Sequence, residues 1–465
     1  LIVIRKTLAA GLAALPAVAS ASAPDPAGLG LAWGLPFAAI LMSIALLPML
    51  AEAFWHRHFG KIVAVFTASF LVPFALTHGV AATSGLAVHA LLTEYLPFLI
   101  LLLTLYTLSG GILLSGRLNA TPWLNTRILA IGALLAPVMG TTGAAMLLIR
   151  PLLRANKWRH DKVHVVVFFI FLVANIGGGL TPLGDPPLFL GFLNGVTFGW
   201  TFVHMLLPVL VSVVVLLGAF YLLDSYYFRK ERRHFPARPN EPIKLAGRVN
   251  LLLLAIAIAT VLLSGMWKPD VEIELAGVPL ELQNLLRDGV LLVLTGLSLR
   301  LTPRAVRAGN EFNWIPIVEV AKLFAGIFLT IAPVISMLQA GPAGPFAGVL
   351  AIASRPDGAP NDVMYFWVTG LLSSFLDNAP TYLVFFNMAG GDAQTLMGGL
   401  APTLRAISMG AVFMGAMTYI GNAPNFMVKS IARHHRVRMP GFFGYMLWSL
   451  TFLLPLFLLQ TWLFL

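Results

Sequence analysis

The sequence predicts an all-α polytopic membrane protein with about 10 spanning helices and two re-entrant hairpins, arranged as two inverted-topology repeats with broken helices. Three observations predict it: the hydropathy, the placement of the basic residues, and a motif that occurs twice. Of 465 residues, 58% are hydrophobic and 11% are charged, with a mean hydropathy of +0.86. Soluble domains carry about 25% charged residues. No soluble fold of this length hides so much apolar surface, which excludes a soluble enzyme, a nucleic-acid-binding protein and a disordered chain. The absence of cysteine excludes disulfides and thiolate metal sites.

The first residues read as a processing signal. Arg5 and Lys6 precede a short apolar run, Leu8 to Val18, and small residues at Ser20-Ala21-Ser22-Ala23. That is the charged, apolar and small-residue order of a signal peptide over 1–23. Residues 24–224 then form an N-terminal transmembrane region with the first repeat, 225–248 a basic cytoplasmic linker, and 249–465 a C-terminal transmembrane region with the second.

Apolar stretches of spanning length run at 29–53, 60–78, 92–115, 163–190, 198–224, 249–267, 289–303, 315–340, 402–428 and 440–464. Two more, 124–149 and 362–389, are interrupted by Gly140-Thr141-Thr142-Gly143 and by Asp377-Asn378-Ala379-Pro380, and are expected to enter and leave on one side. With the mature N-terminus outside, 23 of the 30 Lys+Arg then fall in segments on the cytoplasmic side and 4 in segments outside. This obeys the positive-inside rule and places the chain in the cell membrane, inner or plasma. The net charge of +11 is thereby topological, and the partner it implies is a lipid bilayer, not nucleic acid. Trp55, Trp200, Tyr226 and Trp462 near span ends are expected as interfacial anchors.

The repeated motif is Leu180-Thr-Pro-Leu-Gly-Asp-Pro-Pro-Leu-Phe-Leu190 against Met417-Thr-Tyr-Ile-Gly-Asn-Ala-Pro-Asn-Phe-Met427. Thr181 matches Thr418, Gly184 matches Gly421, and Asp185 faces Asn422. Thr142 lies 39 residues before Thr181, and Asn378 lies 40 before Thr418. Inverted repeats with Gly/Pro-interrupted helices mark a secondary transporter whose site lies at the midplane. Proline and glycine at 177–187 cannot sit in one continuous helix. Unwound backbone at membrane depth is tolerated only where protein or a water-filled cavity satisfies it.

Freed carbonyls and side-chain oxygens can hold a cation there. Asn175, Thr181, Asn378, Thr418 and Asn422 offer neutral oxygens of the kind that suit sodium, and Asp185 and Asp377 sit at the two breaks, close to Gly184 and the second hairpin tip, while Gly421 marks the repeat of Gly184. Sodium, as transported or coupling ion, is expected there, with no other cofactor. Helix capping is the structural alternative for Asp185, Asp377 and Asn422, each close to a proline. Asp377 is given the larger part in exchange, because Asn422 suggests that an amide fits the position of Asp185. Glu94, nearer an interface, and Glu319 are the other intramembrane carboxylates. Glu319 and Lys322 are spaced to pair on one helix face. No HExxH, nucleophile elbow or phosphate loop occurs, so no catalytic residue is assigned.

Asn175-Ile-Gly-Gly-Gly-Leu-Thr-Pro-Leu-Gly-Asp-Pro-Pro187, Phe375-Leu-Asp-Asn-Ala-Pro-Thr-Tyr382 and Thr418-Tyr-Ile-Gly-Asn-Ala-Pro-Asn425 resemble the ion-transporter superfamily. Its members include D-type sodium/proton antiporters, citrate transporters and dicarboxylate symporters. The resemblance implies two re-entrant hairpins from opposite sides, a homodimer and an elevator motion. By position it also implies two ion sites, one of Thr141 and Thr142 with Asn175 to Asp185, the other of Asp377 and Asn378 with Thr418 to Asn422, with sodium held at Thr142, Asn175, Asp185, Asp377, Asn378 and Thr418. The Leu-Asp-Asn-x-Pro tip is most similar to the D-type antiporters and to citrate-like transporters, whereas dicarboxylate symporters carry Ser-Asn-Thr at both tips. The reading is a sodium/proton antiporter working by alternating access; the alternative is a sodium- or proton-coupled carrier of citrate or another small carboxylate.

Overall fold

The computed structural model describes residues 29–116, 118–231 and 241–465. The signal segment 1–23 and residues 232–240 of the linker lie outside the described residues. The N-terminal part comprises α1 (Leu35–Leu50), α2 (Glu52–His78), α3 (Val80–Ala90), a π-helical turn at Leu91–Tyr95 and α4 (Leu96–Gly110). A short strand, β1 (Leu113–Ser115), leads to α5 (Pro122–Met139) and α6 (Thr141–Ala155). Then come α7 (Val163–Leu172), a 3-10 turn at Ile176–Leu180, α8 (Pro186–Leu193) and α9 (Phe198–Glu231). After β2 (Lys244–Ala246), which pairs antiparallel with β1, follow α10 (Val249–Met266), the hairpin β3 (Glu272–Leu275) and β4 (Val278–Glu281), and α11 (Leu282–Leu301).

The last third contains α12 (Arg304–Gly309), α13 (Ile315–Gln339), α14 (Ala347–Ala353), α15 (Asp362–Phe375), α16 (Asn378–Met388) and α17 (Ala393–Met397). It ends with α18 (Ala401–Met414), a 3-10 turn at Gly415–Met417, α19 (Ala423–His434) and α20 (Phe442–Phe464). The protein is an all-α polytopic membrane protein. Among the described residues nine helices are long and apolar enough to cross a membrane.

The expected spans and these helices differ in several places. The helix α5, expected as one arm of a re-entrant stretch, is itself among the nine, and the stretch 163–190 is broken into α7, a 3-10 turn and α8. Of the expected span 289–303, residues 289–301 belong to α11, which carries Arg287, Asp288 and Arg300 and is not among the nine. The stretch 402–428 is two helices, since Gly415, Gly421 and Pro424 interrupt it. The third spanning helix runs from Val80, not 92, to Gly110. Its first turns hold Thr83, Ser84 and His89, which hide a helix from hydropathy alone. Glu94 therefore lies near mid-span, in the π-helical turn, rather than near an interface.

Both interrupted stretches are helical hairpins. In the first, α5 packs against α6 across Gly140, whose φ of +79° suits glycine. In the second, α15 packs against α16 across Leu376-Asp377. Each hairpin is followed, in the second half after the short α17, by a helix, a 3-10 turn, a break at Thr-x-x-Gly and a second helix. The elements interlock: α8 packs on α16, and α19 packs on α6. Every break is thus held by the hairpin of the other half, which brings the two halves' polar segments together in the buried middle of the molecule.

Candidate functional site

The breaks meet at Asp185, which is buried at the N-terminus of α8. Asp185 holds the N-cap position, yet its side chain bonds to no backbone N–H of that helix. Pro186 and Pro187 follow it, and proline lacks the N–H groups a cap would satisfy. The carboxylate is free for other partners. Its Oδ1 accepts from Thr141 Oγ1 at 3.1 Å and from Asn422 Nδ2 at 2.9 Å, and its Oδ2 accepts from Asn378 Nδ2 at 2.6 Å. The donors come from the first hairpin tip, the second break and the second hairpin tip. All three are neutral, and among the described residues no cationic side chain forms an ion pair with Asp185.

Four helices, α6, α8, α16 and α19, begin around this carboxylate, and their positive dipole ends offset part of a negative charge. Asn378 Oδ1 is buried without a hydrogen-bond partner. A carboxylate with an open amide oxygen nearby is a hard oxygen donor set.

The other candidates divide by task. Asp377 is the cap that the sequence alternative describes: its Oδ1 accepts from Ala379 N at 3.1 Å, and its carbonyl accepts from Thr381 Oγ1 at 2.9 Å. Asn175 donates to Ile170 O at 2.8 Å and to Asn425 Oδ1 at 2.7 Å, and its Oδ1 accepts from Asn422 at 3.2 Å. Thr181 and Thr418 act alike. Each hydroxyl donates at 2.5 Å to a carbonyl 44 residues earlier, Pro137 O and Ser374 O, and so pins its break to the first arm of its own hairpin. Gly184 and Gly421 permit close backbone approach. A Cβ on Gly184 would lie 2.1 Å from Gly178 O, and one on Gly421 2.6 Å from Ser373 O. Thr142 is half-buried on a cavity wall.

That cavity has a volume of about 580 Å³. It reaches Thr142, Asp185, Asp377 and Asn422 and extends past Arg150, Lys429, Arg433 and Glu311. Exposed wall residues such as Ala423 and Ser430 show that it communicates with the outside of the protein. Trp55 also lines it. Trp55 and Trp200 are each only 7% exposed, so neither is the interfacial anchor expected, although Tyr226 and Trp462 are exposed as such anchors are. Trp200 instead donates its indole N–H to Met397 O at 3.1 Å, a partner that only the folded chain supplies. Lys322 lies over the Phe59 ring at 5.5 Å, while Glu319 lines the cavity.

The family described as "Putative citrate transport" matches residues 27–465. The chain belongs to that family. It is also 24% identical over 325 residues to uncharacterized transporters of Mycobacterium tuberculosis and Mycobacterium bovis, covering 68% of this chain and 71% of each relative. In this citrate-transport family member, the broken helices bring the polar cluster to the wall of that cavity.

Three features escaped the sequence reading. Asn425, buried, donates to Gly415 O at 2.8 Å and Thr418 O at 2.9 Å and so holds the second break open. Its place three residues after Asn422, on the same helix face, was the available signal. Arg150 and Glu311 form an ion pair at 3.1 Å across the cavity wall. Arg159, Asp224, His164 and Glu231 form a buried network that fastens the segment after α6 to the end of α9. Two acidic residues inside a basic stretch were its only trace in the sequence.

Proposed function

We propose that this transporter exchanges sodium for protons by alternating access, with Asp185 as the group that carries one or the other. One observation carries the reading: a buried carboxylate, reached by a cavity, has only neutral hydrogen-bond partners. An unpaired buried charge is expensive, so such a carboxylate is stable when it holds either a proton or a metal cation. Two species competing for one site is the requirement for exchange. Asn378 Oδ1 and Asp185 are the nearest sodium ligands in this proposal. Asp377, Thr142, Asn175 and Thr418 complete the set as the helices move.

The proposal includes two inverted-topology repeats, a homodimer in the cell membrane, and cytoplasmic basic loops. The matched 44-residue threonine bonds and the interlocked hairpins support the repeats; the positive-inside distribution supports the orientation. A second reading, sodium- or proton-coupled carriage of citrate or another small carboxylate, is favoured by the family description and by a cavity large enough for such a ligand. Reconstitution into liposomes separates them. A pH-sensitive dye reports sodium-driven proton movement, and labelled citrate uptake is measured alongside. Proton movement without citrate uptake supports exchange. Sodium-dependent citrate uptake with no proton movement in its absence rejects exchange in favour of the second reading.

A further inference from the structure

The cavity that reaches Asp185 also has a cationic wall that the exchange reading does not use. Arg150 stands on α6, nine residues after Thr141, or about 14 Å further along the helix. Lys429 and Arg433 stand on α19, seven and eleven residues after Asn422, or about 10 and 16 Å further along. The two helices pack side by side and both start at the Asp185 cluster, so the three cations line the same stretch of cavity.

Arg150 is only 7% exposed. Of its three nitrogens, Nη2 donates to Glu311 Oε2 at 3.1 Å, whereas Nε and Nη1 are buried with no hydrogen-bond partner. Glu311 is a weak counter-charge, since its side chain is 56% exposed and shares its charge with solvent. A buried guanidinium with unused donors is unfavourable by itself and is the residue best suited to planar oxyanions. Lys429, whose ammonium lies 4.2 Å from the Tyr419 ring centroid, adds a second charge on the same wall.

We propose that Arg150, aided by Lys429, forms a binding site for a small oxyanion, carboxylate or phosphate, in the mouth of the cavity and separate from the Asp185 cluster. Such an anion competes with Glu311 for the guanidinium, which turns toward the cavity to present the now buried Nε or Nη1. The cavity then holds a cation and an anion in series. The chemistry is shared by a soluble anion and by a lipid headgroup, and the test distinguishes them.

The full chain is placed in nanodiscs of neutral lipid, and its melting temperature is followed while citrate or inorganic phosphate replaces chloride at constant sodium. Either oxyanion should raise the melting temperature of the wild type. Arg150→Gln should weaken the apparent affinity by about tenfold or more, because the charge-assisted donor is gone. Glu311→Gln removes the competitor and should tighten binding by about threefold. Stabilisation by phosphatidylglycerol in the discs, with no response to soluble anions and lost in Arg150→Gln, assigns the oxyanion to a lipid. Equal anion responses in wild type and Arg150→Gln, or no response to soluble anion or lipid, overturns the site. If Arg150→Gln does not fold, unchanged or weaker binding in Glu311→Gln overturns it alone. Binding is read at equilibrium, so the outcome is independent of sodium/proton exchange.

Discussion

Replacing Asp185 by asparagine separates charge from shape at the centre of the site. The substituted side chain keeps an Oδ1 that accepts from Thr141 and Asn422, and puts an amide N–H where the Asp185 Oδ2 accepted from Asn378. A half-turn of the Asn378 amide then presents its unpartnered Oδ1 to the new donor, so all three hydrogen bonds survive. Bonds to a charged group contribute about 1.5–3 kcal/mol and neutral ones about 1, so the set loses roughly 3 kcal/mol. Against this, the variant no longer buries a carboxylate, which costs several kcal/mol. The two changes oppose each other, and the melting temperature should stay within about 3 °C of wild type.

Asp185→Ala is different. Asn422 retains Ala174 O and Asn175 Oδ1, both at 3.2 Å, but Thr141 Oγ1 and Asn378 Nδ2 lose their acceptor. Two unsatisfied buried donors cost about 2–6 kcal/mol together. Both variants should reduce sodium/proton exchange in liposomes to the level of protein-free vesicles, and only the alanine should melt markedly lower. Exchange at the wild-type rate in Asp185→Asn would refute the role assigned to this carboxylate. Equal thermal losses in both variants would refute the hydrogen-bond accounting.

Gly184→Ala drives a Cβ to 2.1 Å from Gly178 O, backbone against backbone, and should destabilise by about 1–3 kcal/mol with loss of transport; Gly199→Ala, where no atom lies within 4 Å, is the neutral control in the same melting assay. Asp224→Ala removes the acceptor of the buried His164 and one of the two acidic partners of Arg159, leaving it Glu231, and should cost about 3–5 kcal/mol, read by denaturation in detergent. The topology is checked with single cysteines in this cysteine-free chain: an impermeant maleimide should label position 274 in intact cells and position 157 only after permeabilisation, and the reverse pattern would invert the orientation. A cysteine at Thr142, on the cavity wall, should react with a small thiol reagent, whereas one at Thr181, bonded to Pro137 O, should react at least about tenfold more slowly, since its access needs local opening.

The fold class and the places where helices break were legible in the residue order because both are local matters. Hydropathy reports the solvent each stretch prefers, and the Gly and Pro at 177–187 and 415–424 forbid a continuous helix whatever lies nearby. The choice between capping and ligation was not legible. Asp185 and Asp377 both precede a helix near a proline, yet Asp377 caps its helix while Asp185 turns to Thr141, Asn378 and Asn422. The sequence reading favoured Asp377 because Asn422 looked like a substitute for Asp185; in the fold Asn422 is its donor. Those contacts join residues 44, 193 and 237 positions apart, and they exist only because α8 docks on the second hairpin and α19 on the first. Residue order by itself determined which side chains were available at membrane depth. The tertiary structure decided that they share one carboxylate, because a hydrogen bond depends on a few tenths of an ångström between helices whose relative placement is set by packing across the whole core.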